Sequence, residues 1–183
     1  MPDKEFIKSL QRRTAQISVG ASAIRNQGAS GLIDCCRYYF ENSIDLKEFR
    51  KNLKSKKYIG YLDSCTFELV DSFPENGKSW GAARKGLNLF FREVIYNKYL
   101  SDYLNMPIDF KENLKMIEYL EVPLDRYVAH GLISKSSQLP KWTSIKDLTP
   151  EISEKYQYFA MEYAISKGLV RVHLDLEFWR KNK

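Results

Sequence analysis

The chain has 183 residues, of which 44% are hydrophobic and 14% aromatic, which is enough for a buried core and excludes a disordered protein. The formal net charge of +6 favours a polyanionic partner, because lysines and arginines that bind phosphates release counterions. Three cysteines without a CxxC pair and two histidines offer no zinc or iron–sulfur site, so we expect no metal, no cofactor and reduced thiols in a cytoplasmic protein. No apolar run has membrane-spanning length, and no membrane partner is expected.

Helical periodicity dominates the first half of the chain. The predicted segments, in chain order, are a helix over 4–15, a loop over 25–28, a helix with Leu32, Ile33, Cys36, Tyr39 and Phe40 on one face, a helix over 46–54 with Asp45 as its N-cap, a helix that Gly60 opens toward Val70, and a turn over 73–77.

The second half is predicted to be helical as well. The predicted segments are a long helix from the N-cap Ser79 to about Tyr99, a short helix capped by Asp109 and ending near Tyr119, a helix after Pro123 that Gly131 closes, and a helix from Thr149 to Gly168 with Pro150 in its first turn. Residues 170–178 alternate as a strand does, but a lone strand has no partner in this chain, so we expect a helix there. The predicted fold class is all-α.

Two polar residues of these helices could carry chemistry. Lys85 lies at i, i+3 and i+7 spacing with Asn88 and Arg92, so the three share one side of the long helix, opposite its apolar stripe. Taken alone, Lys85 is an ordinary solvated lysine of an amphipathic helix. Asp125 follows Pro123 at the expected start of a helix, and taken alone it is an N-cap.

Together, the two segments resemble one family. Residues 85–92, Lys-Gly-Leu-Asn-Leu-Phe-Phe-Arg, resemble the catalytic-lysine helix of the helix-hairpin-helix DNA glycosylase/lyases, closest to the second, largely archaeal branch of 8-oxoguanine DNA glycosylases. Residues 124–127, Leu-Asp-Arg-Tyr, resemble the segment that bears that branch's catalytic aspartate. The lysine precedes the aspartate in the family as it does here. The resemblance is specific to these two stretches.

The resemblance implies a fold and a reaction. The implied fold has helical lobes around a central cleft, one over 18–120 with the hairpin, the other over 1–17 plus 121–183. The implied activity is that of a DNA N-glycosylase with AP lyase activity. By the resemblance, a damaged base of the oxidised-purine class, such as 8-oxoguanine, is flipped out of the duplex, Lys85 attacks C1′, and Asp125 assists proton removal. Asn88 could orient either group. Burial, Arg84 and Arg92 would lower the pKa of Lys85.

The resemblance also suggests residues that touch DNA. Those expected on the phosphate backbone are Lys78, Arg84, Arg92, Ser134 and Lys135. Those expected to fill the gap left by the base, or to stack on it, are Arg25, Asn26, Gln27, Trp80 and Trp179. Solvated loops and core aromatic residues explain the same side chains, so both interpretations stay open. We expect a monomer bound to damaged double-stranded DNA.

The sequence departs from the family pattern at two places. Gly81 stands four residues before the lysine, and Ala83 takes the nearer glycine position of the hairpin. Lys85 and Asp125 are 40 residues apart, an interval that an inserted helical segment over 96–119 accounts for. Two alternatives follow: a DNA-binding protein of the same fold without catalysis, and an unrelated helical interaction protein. The second alternative predicts that Lys85 and Asp125 lie far apart in space.

Overall fold

The computed structural model describes residues 3–20, 23–24 and 29–178 of the chain. Over these residues the protein is built from α-helices and short 3-10 turns, with no strand among them, which confirms the all-α class. The helices are α1 (Lys4–Ser18), α2 (Leu32–Asn42), α3 (Leu46–Lys54), α4 (Tyr58–Ser72), α5 (Trp80–Tyr96), α6 (Lys98–Tyr103), α7 (Phe110–Met116), α8 (Arg126–Ile133), α9 (Pro150–Ile165) and α10 (Leu174–Phe178).

The predicted helix boundaries rest on side-chain caps, and the structure confirms most of them. Asp45, Ser79, Asp109 and Thr149 each accept a hydrogen bond from a backbone N–H two or three residues further on, at the start of α3, α5, α7 and α9. These bonds satisfy donors that have no partner inside the helix. Gly168 follows α9 with φ +68°, the left-handed conformation that ends a helix. The last segment is helical, as α10 shows.

Three predicted boundaries were wrong. Gly60 lies inside the first turn of α4, because the helix begins at Tyr58. The long helix ends at Tyr96, because the side chain of Asn97 accepts two backbone N–H groups and starts α6. Gly131 lies inside α8, where an added Cβ would be 2.2 Å from a ring carbon of Phe178. That glycine therefore serves the contact between α8 and α10 and does not close the helix.

Two hydrophobic clusters form the core. The larger one contains buried side chains of α1 to α6 and residues 117–120 after α7, and the smaller one joins residues 122–132 to α9 and α10. Residues 1–17, which were expected to join the second lobe, contribute Ile7 and Ala15 of α1 to the larger cluster. The Gln11 amide fixes α1 there by donating to the carbonyls of Phe40 (2.7 Å) and Ile44 (2.9 Å).

Helix α5 is the central element of the fold. Every residue from Gly81 to Phe91 is buried, so the alternative explanation of Lys85 as an ordinary solvated lysine does not hold. Arg84, Lys85 and Asn88 are only 4%, 5% and 2% exposed. A buried charged group is costly unless it is paired or neutral, so the partners of these side chains define the candidate site.

Candidate active site

The amine of Lys85 lies between two acceptors from distant parts of the chain. Its Nζ donates a hydrogen bond to the backbone carbonyl of Ala23 at 2.7 Å and lies 3.8 Å from Oδ2 of Asp125. The structure therefore brings together the two residues that the sequence comparison singled out. The alternative of an unrelated helical interaction protein predicted that the two residues lie far apart, and in this structure they do not.

Asp125 is held in place by the helix that it caps. Its Oδ1 accepts hydrogen bonds from the backbone N–H groups of Tyr127 (2.8 Å) and Val128 (2.9 Å) at the start of α8. Its backbone is extended, as is typical of an N-cap residue. The other oxygen, Oδ2, faces Lys85. The Asp125 side chain is 24% exposed, so it forms the more open edge of the pair.

The pKa of Lys85 lies below its ordinary value of 10.5. Burial is the largest cause, and the positive charge of Arg92 acts in the same direction, whereas Asp125 opposes both by favouring the ammonium form. The net effect increases the neutral fraction of the amine near neutral pH. A neutral amine is the form that can act as a nucleophile.

Arg92 supplies a fixed positive charge on the Lys85 side of α5. Its guanidinium forms ion pairs with Glu93 (2.5 Å) and with Asp175, a buried residue of α10. In this structure two carboxylates of the chain therefore engage the guanidinium that was expected to contact a DNA phosphate. Sequence reasoning missed Asp175, since a single acidic residue in an ambiguous terminal segment carries no signal of this contact.

Arg84 lies in a separate buried network on another side of α5. Its guanidinium binds both carboxylate oxygens of Glu121 at 2.8 Å and Oδ1 of Asp63 at 2.7 Å, and the Asn88 amide donates to Glu121 at 3.0 Å. Burial alone would raise the pKa of Glu121, but the charge and hydrogen bonds of Arg84 outweigh it and hold the pKa below its usual value.

This network corrects two predictions. Arg84 is not available to DNA phosphate and is not among the groups that lower the pKa of Lys85. Asn88 bonds to Glu121 and orients neither Lys85 nor Asp125. Both errors have one cause, because residue spacing places side chains on a face of a helix but does not show which neighbouring helix covers that face.

The hairpin between α4 and α5 uses its glycine for packing. An added Cβ at Gly81 would be 2.2 Å from the backbone carbonyl oxygen of Ile145 and 2.8 Å from Cβ of Leu148. The first turn of α5 is thus covered by residues 145–148. Lys78 forms an ion pair with Glu75 at 2.9 Å, and the half-buried Trp80 stacks against the guanidinium of Arg84 at 5.3 Å.

The remaining predicted DNA contacts are dispersed. Ser134 and Lys135 are exposed just after α8, and the Ser134 hydroxyl donates to the carbonyl of Gly131 at 2.7 Å. Arg25, Asn26, Gln27 and Trp179 lie outside the described residues. Within the described ranges, no helix is both long and apolar enough to cross a membrane, and no three His, Cys, Asp or Glu side chains converge on a possible metal position.

Comparison with known proteins adds no relative from which a role for these residues could be inferred. Neither the protein-family models nor the curated proteins nor the solved structures contain a match to this chain.

Proposed function

We propose that this protein is a base-excision DNA glycosylase with AP lyase activity, built on a helix-hairpin-helix fold in which α4 and α5 are the two hairpin helices. The observation that carries the proposal is the buried amine of Lys85, 3.8 Å from the Asp125 carboxylate and with a lowered pKa. A desolvated lysine beside a fixed carboxylate is a typical arrangement for amine nucleophiles.

The pair supports a covalent mechanism on a flipped nucleotide. The neutral Nζ of Lys85 attacks C1′, and the glycosidic bond breaks with its electron pair going to the departing base, which takes up a proton. Asp125 stabilises the positive charge that develops on the sugar and accepts a proton from the attacking amine through Oδ2. Opening of the sugar ring then gives a Schiff base, and loss of a C2′ proton breaks the C3′–O bond.

The same geometry bears on the alternative of a DNA-binding protein without catalysis. Burying an amine costs stability unless it is neutral or well paired, and within the described residues Lys85 donates one hydrogen bond, to the carbonyl of Ala23, with the Asp125 carboxylate farther away at 3.8 Å. A protein that only binds DNA gains nothing from this cost, whereas a nucleophile requires it. By the resemblance, the substrate is duplex DNA with an oxidised purine such as 8-oxoguanine.

Borohydride trapping tests the proposal. The wild-type protein is incubated with a duplex carrying 8-oxoguanine and reduced, beside Lys85→Gln, Asp125→Asn and the control Lys155→Gln, which changes an exposed lysine of α9. We expect a covalent adduct with wild type and the control, none with Lys85→Gln, and about 10²- to 10⁴-fold slower formation with Asp125→Asn. Absence of any adduct on 8-oxoguanine, other lesions and abasic duplexes would refute the catalytic role of Lys85.

A further inference from the structure

The segment that leads to Asp125 is buried but has no regular secondary structure. Residues 121–124 are all buried, and among the described residues none of them takes part in a backbone–backbone hydrogen bond. Buried N–H and C=O groups are costly to leave without a partner, and Pro123 has no N–H to offer. Side chains from other elements therefore have to fix this segment.

One side chain of α9 binds both backbone groups of Val122. The amide of Gln157 donates from Nε2 to the Val122 carbonyl at 2.8 Å, and its Oε1 accepts from the Val122 N–H at 3.0 Å. Gln157 is only 3% exposed, so water does not compete for these bonds. We call the two hydrogen bonds the amide bridge. It satisfies two buried groups that have no partner in a helix or a sheet.

Arg171 fixes the same part of α9 a second time. Its guanidinium donates to the backbone carbonyls of Tyr119 at 2.9 Å, Leu120 at 3.1 Å and Gln157 at 3.2 Å. The residues just before the buried segment are thereby joined to α9 at the position of the amide bridge. The segment and α9 are thus held together from both sides of Glu121.

The segment is also bound to α5, the helix that carries Lys85. Glu121 accepts hydrogen bonds from Arg84, the residue before Lys85, and from Asn88, three residues after it. Glu121 therefore relates the segment to α5, and the amide bridge at the next residue, Val122, relates it to α9.

A displacement of Val122 is transmitted to Asp125. Only two residues separate them, and both are buried. Pro123 fixes its own φ and restricts the conformation of Val122, so this short stretch has little freedom to absorb a shift. The cap of α8 determines which way Oδ2 of Asp125 points, whereas the preceding segment determines where α8 begins.

We propose that Gln157 is a positioning residue for the candidate active site: its amide bridge to Val122 sets the distance between the Asp125 carboxylate and the Lys85 amine. The inference rests on the proposed function for the reaction that this distance serves. The hydrogen bonds of the Gln157 side chain go to backbone groups, so it acts through Asp125 and not on the substrate. A misplacement of about 1 Å can slow an enzymatic reaction about 100-fold.

Two matched variants test the role of the amide bridge. Gln157→Met removes both hydrogen bonds and keeps the helix propensity. The control is Gln11→Met, because the buried Gln11 amide also makes two hydrogen bonds to the backbone, to the carbonyls of Phe40 and Ile44. Both variants should melt at a lower temperature than wild type. If Gln157→Met does not fold, Gln157→Asn, whose amide is one methylene shorter, takes its place.

The first measurement needs no DNA. The pKa of the Lys85 amine is followed by NMR on protein with carbon-13-labelled lysine, with Lys85→Gln identifying the signal. Because Asp125 raises this pKa, moving the carboxylate away should lower it. We expect a lower pKa in Gln157→Met, shifted in the direction of Asp125→Asn, and the wild-type value in Gln11→Met. An unchanged pKa in Gln157→Met, or an equal shift in the control, would overturn the inference.

The second measurement is single-turnover trapping on a saturating duplex that carries 8-oxoguanine. Gln157→Met should form the adduct about 10- to 100-fold more slowly with unchanged affinity for the duplex, and Gln11→Met at the wild-type rate. In the Asp125→Asn background Gln157→Met should cause no further slowing, because two residues that act through one group are not additive. Additive slowing would overturn the inference. No adduct with wild type would refute the proposed function, and the NMR result would still decide whether Gln157 places Asp125.

Discussion

The Lys85 amine and the Asp125 carboxylate are neighbours at 3.8 Å, yet the short hydrogen bond of the amine goes to the carbonyl of Ala23. The carboxylate therefore acts on Lys85 mainly through its charge. An uncharged carbonyl accepts a hydrogen bond from the neutral amine as well as from the ammonium ion. The arrangement holds the amine in position in both of its protonation states.

The rate of trapping should depend on the pKa of Lys85. Because that pKa is lowered, the rate is expected to rise with pH and then reach a plateau. The midpoint of the rise should lie below 10.5, the ordinary pKa of lysine. Single-turnover trapping from about pH 5 to beyond the ordinary lysine pKa of 10.5 measures the midpoint. A rate that keeps rising up to the ordinary pKa of lysine would contradict the prediction.

Substitutions near Lys85 should move this midpoint in opposite directions. Asp125→Asn removes a charge that raises the pKa of Lys85, so its midpoint is expected at lower pH despite its slower reaction. Arg92→Gln removes a charge that lowers this pKa, so its midpoint is expected at higher pH. The same pH series measures both shifts, and shifts in one common direction would show that the two charges do not act as described.

Replacing Lys85 by methionine should stabilise the protein. A folded-state pKa below the unfolded value means that the unfolded chain binds more protons, so the lysine costs stability at low pH and the cost disappears as pH rises toward 10.5. We expect Lys85→Met to raise the melting temperature at pH 7 by about 2–4 °C for each kcal/mol gained. The gain should shrink between pH 7 and pH 10, and an equal gain at every pH would rule out this explanation.

The Arg84–Glu121 pair should govern acid stability. Glu121 has a folded-state pKa below 4.5, so its contribution is complete above that pH and is lost as pH falls through the folded value. Glu121→Gln leaves Arg84 partly unpaired in the core and is expected to cost about 3–5 kcal/mol. Urea unfolding between pH 3 and 7 measures the cost.

The exposed pair Lys98–Asp102 serves as the control for Glu121→Gln, because both of its side chains are open to solvent. Asp102→Asn should leave the unfolding midpoint unchanged, since exposed ion pairs contribute little. A Glu121→Gln variant as stable as Asp102→Asn would show that the buried network does not stabilise the fold.

Two glycine substitutions test the packing of the hairpin. Gly81→Ala would place a Cβ 2.2 Å from the Ile145 carbonyl oxygen, and forcing residues 145–148 aside is expected to cost about 1–3 kcal/mol. Gly60→Ala is the control, since Gly60 is in α4 with open space around it, and should gain about 0.5–1 kcal/mol from better helix propensity. Thermal unfolding distinguishes the two, and equal effects would show that the contact with Ile145 is not tight.

Local features of the sequence predicted local features of the structure. Asp45, Ser79 and Thr149 start helices because a side-chain cap needs only neighbouring residues. The burial of Arg84 and Asn88 was not predictable in this way, because it depends on Glu121, which lies far along the chain and packs on a side of α5 that spacing alone assigns to solvent. The contact between Arg92 and Asp175 escaped prediction for the same reason.

The cap at the start of α8 also determines how Asp125 would act as a base in the proposed mechanism. Rotation of its carboxylate would break both hydrogen bonds from Tyr127 and Val128 to Oδ1, so Oδ2 keeps its alignment toward Lys85 without a search through rotamers. Proton transfer then requires little reorganisation of the acceptor. One side chain thus both caps α8 and orients Oδ2 toward Lys85. Any substitution that lets the carboxylate rotate also removes the hydrogen bonds that cap the first turn of α8.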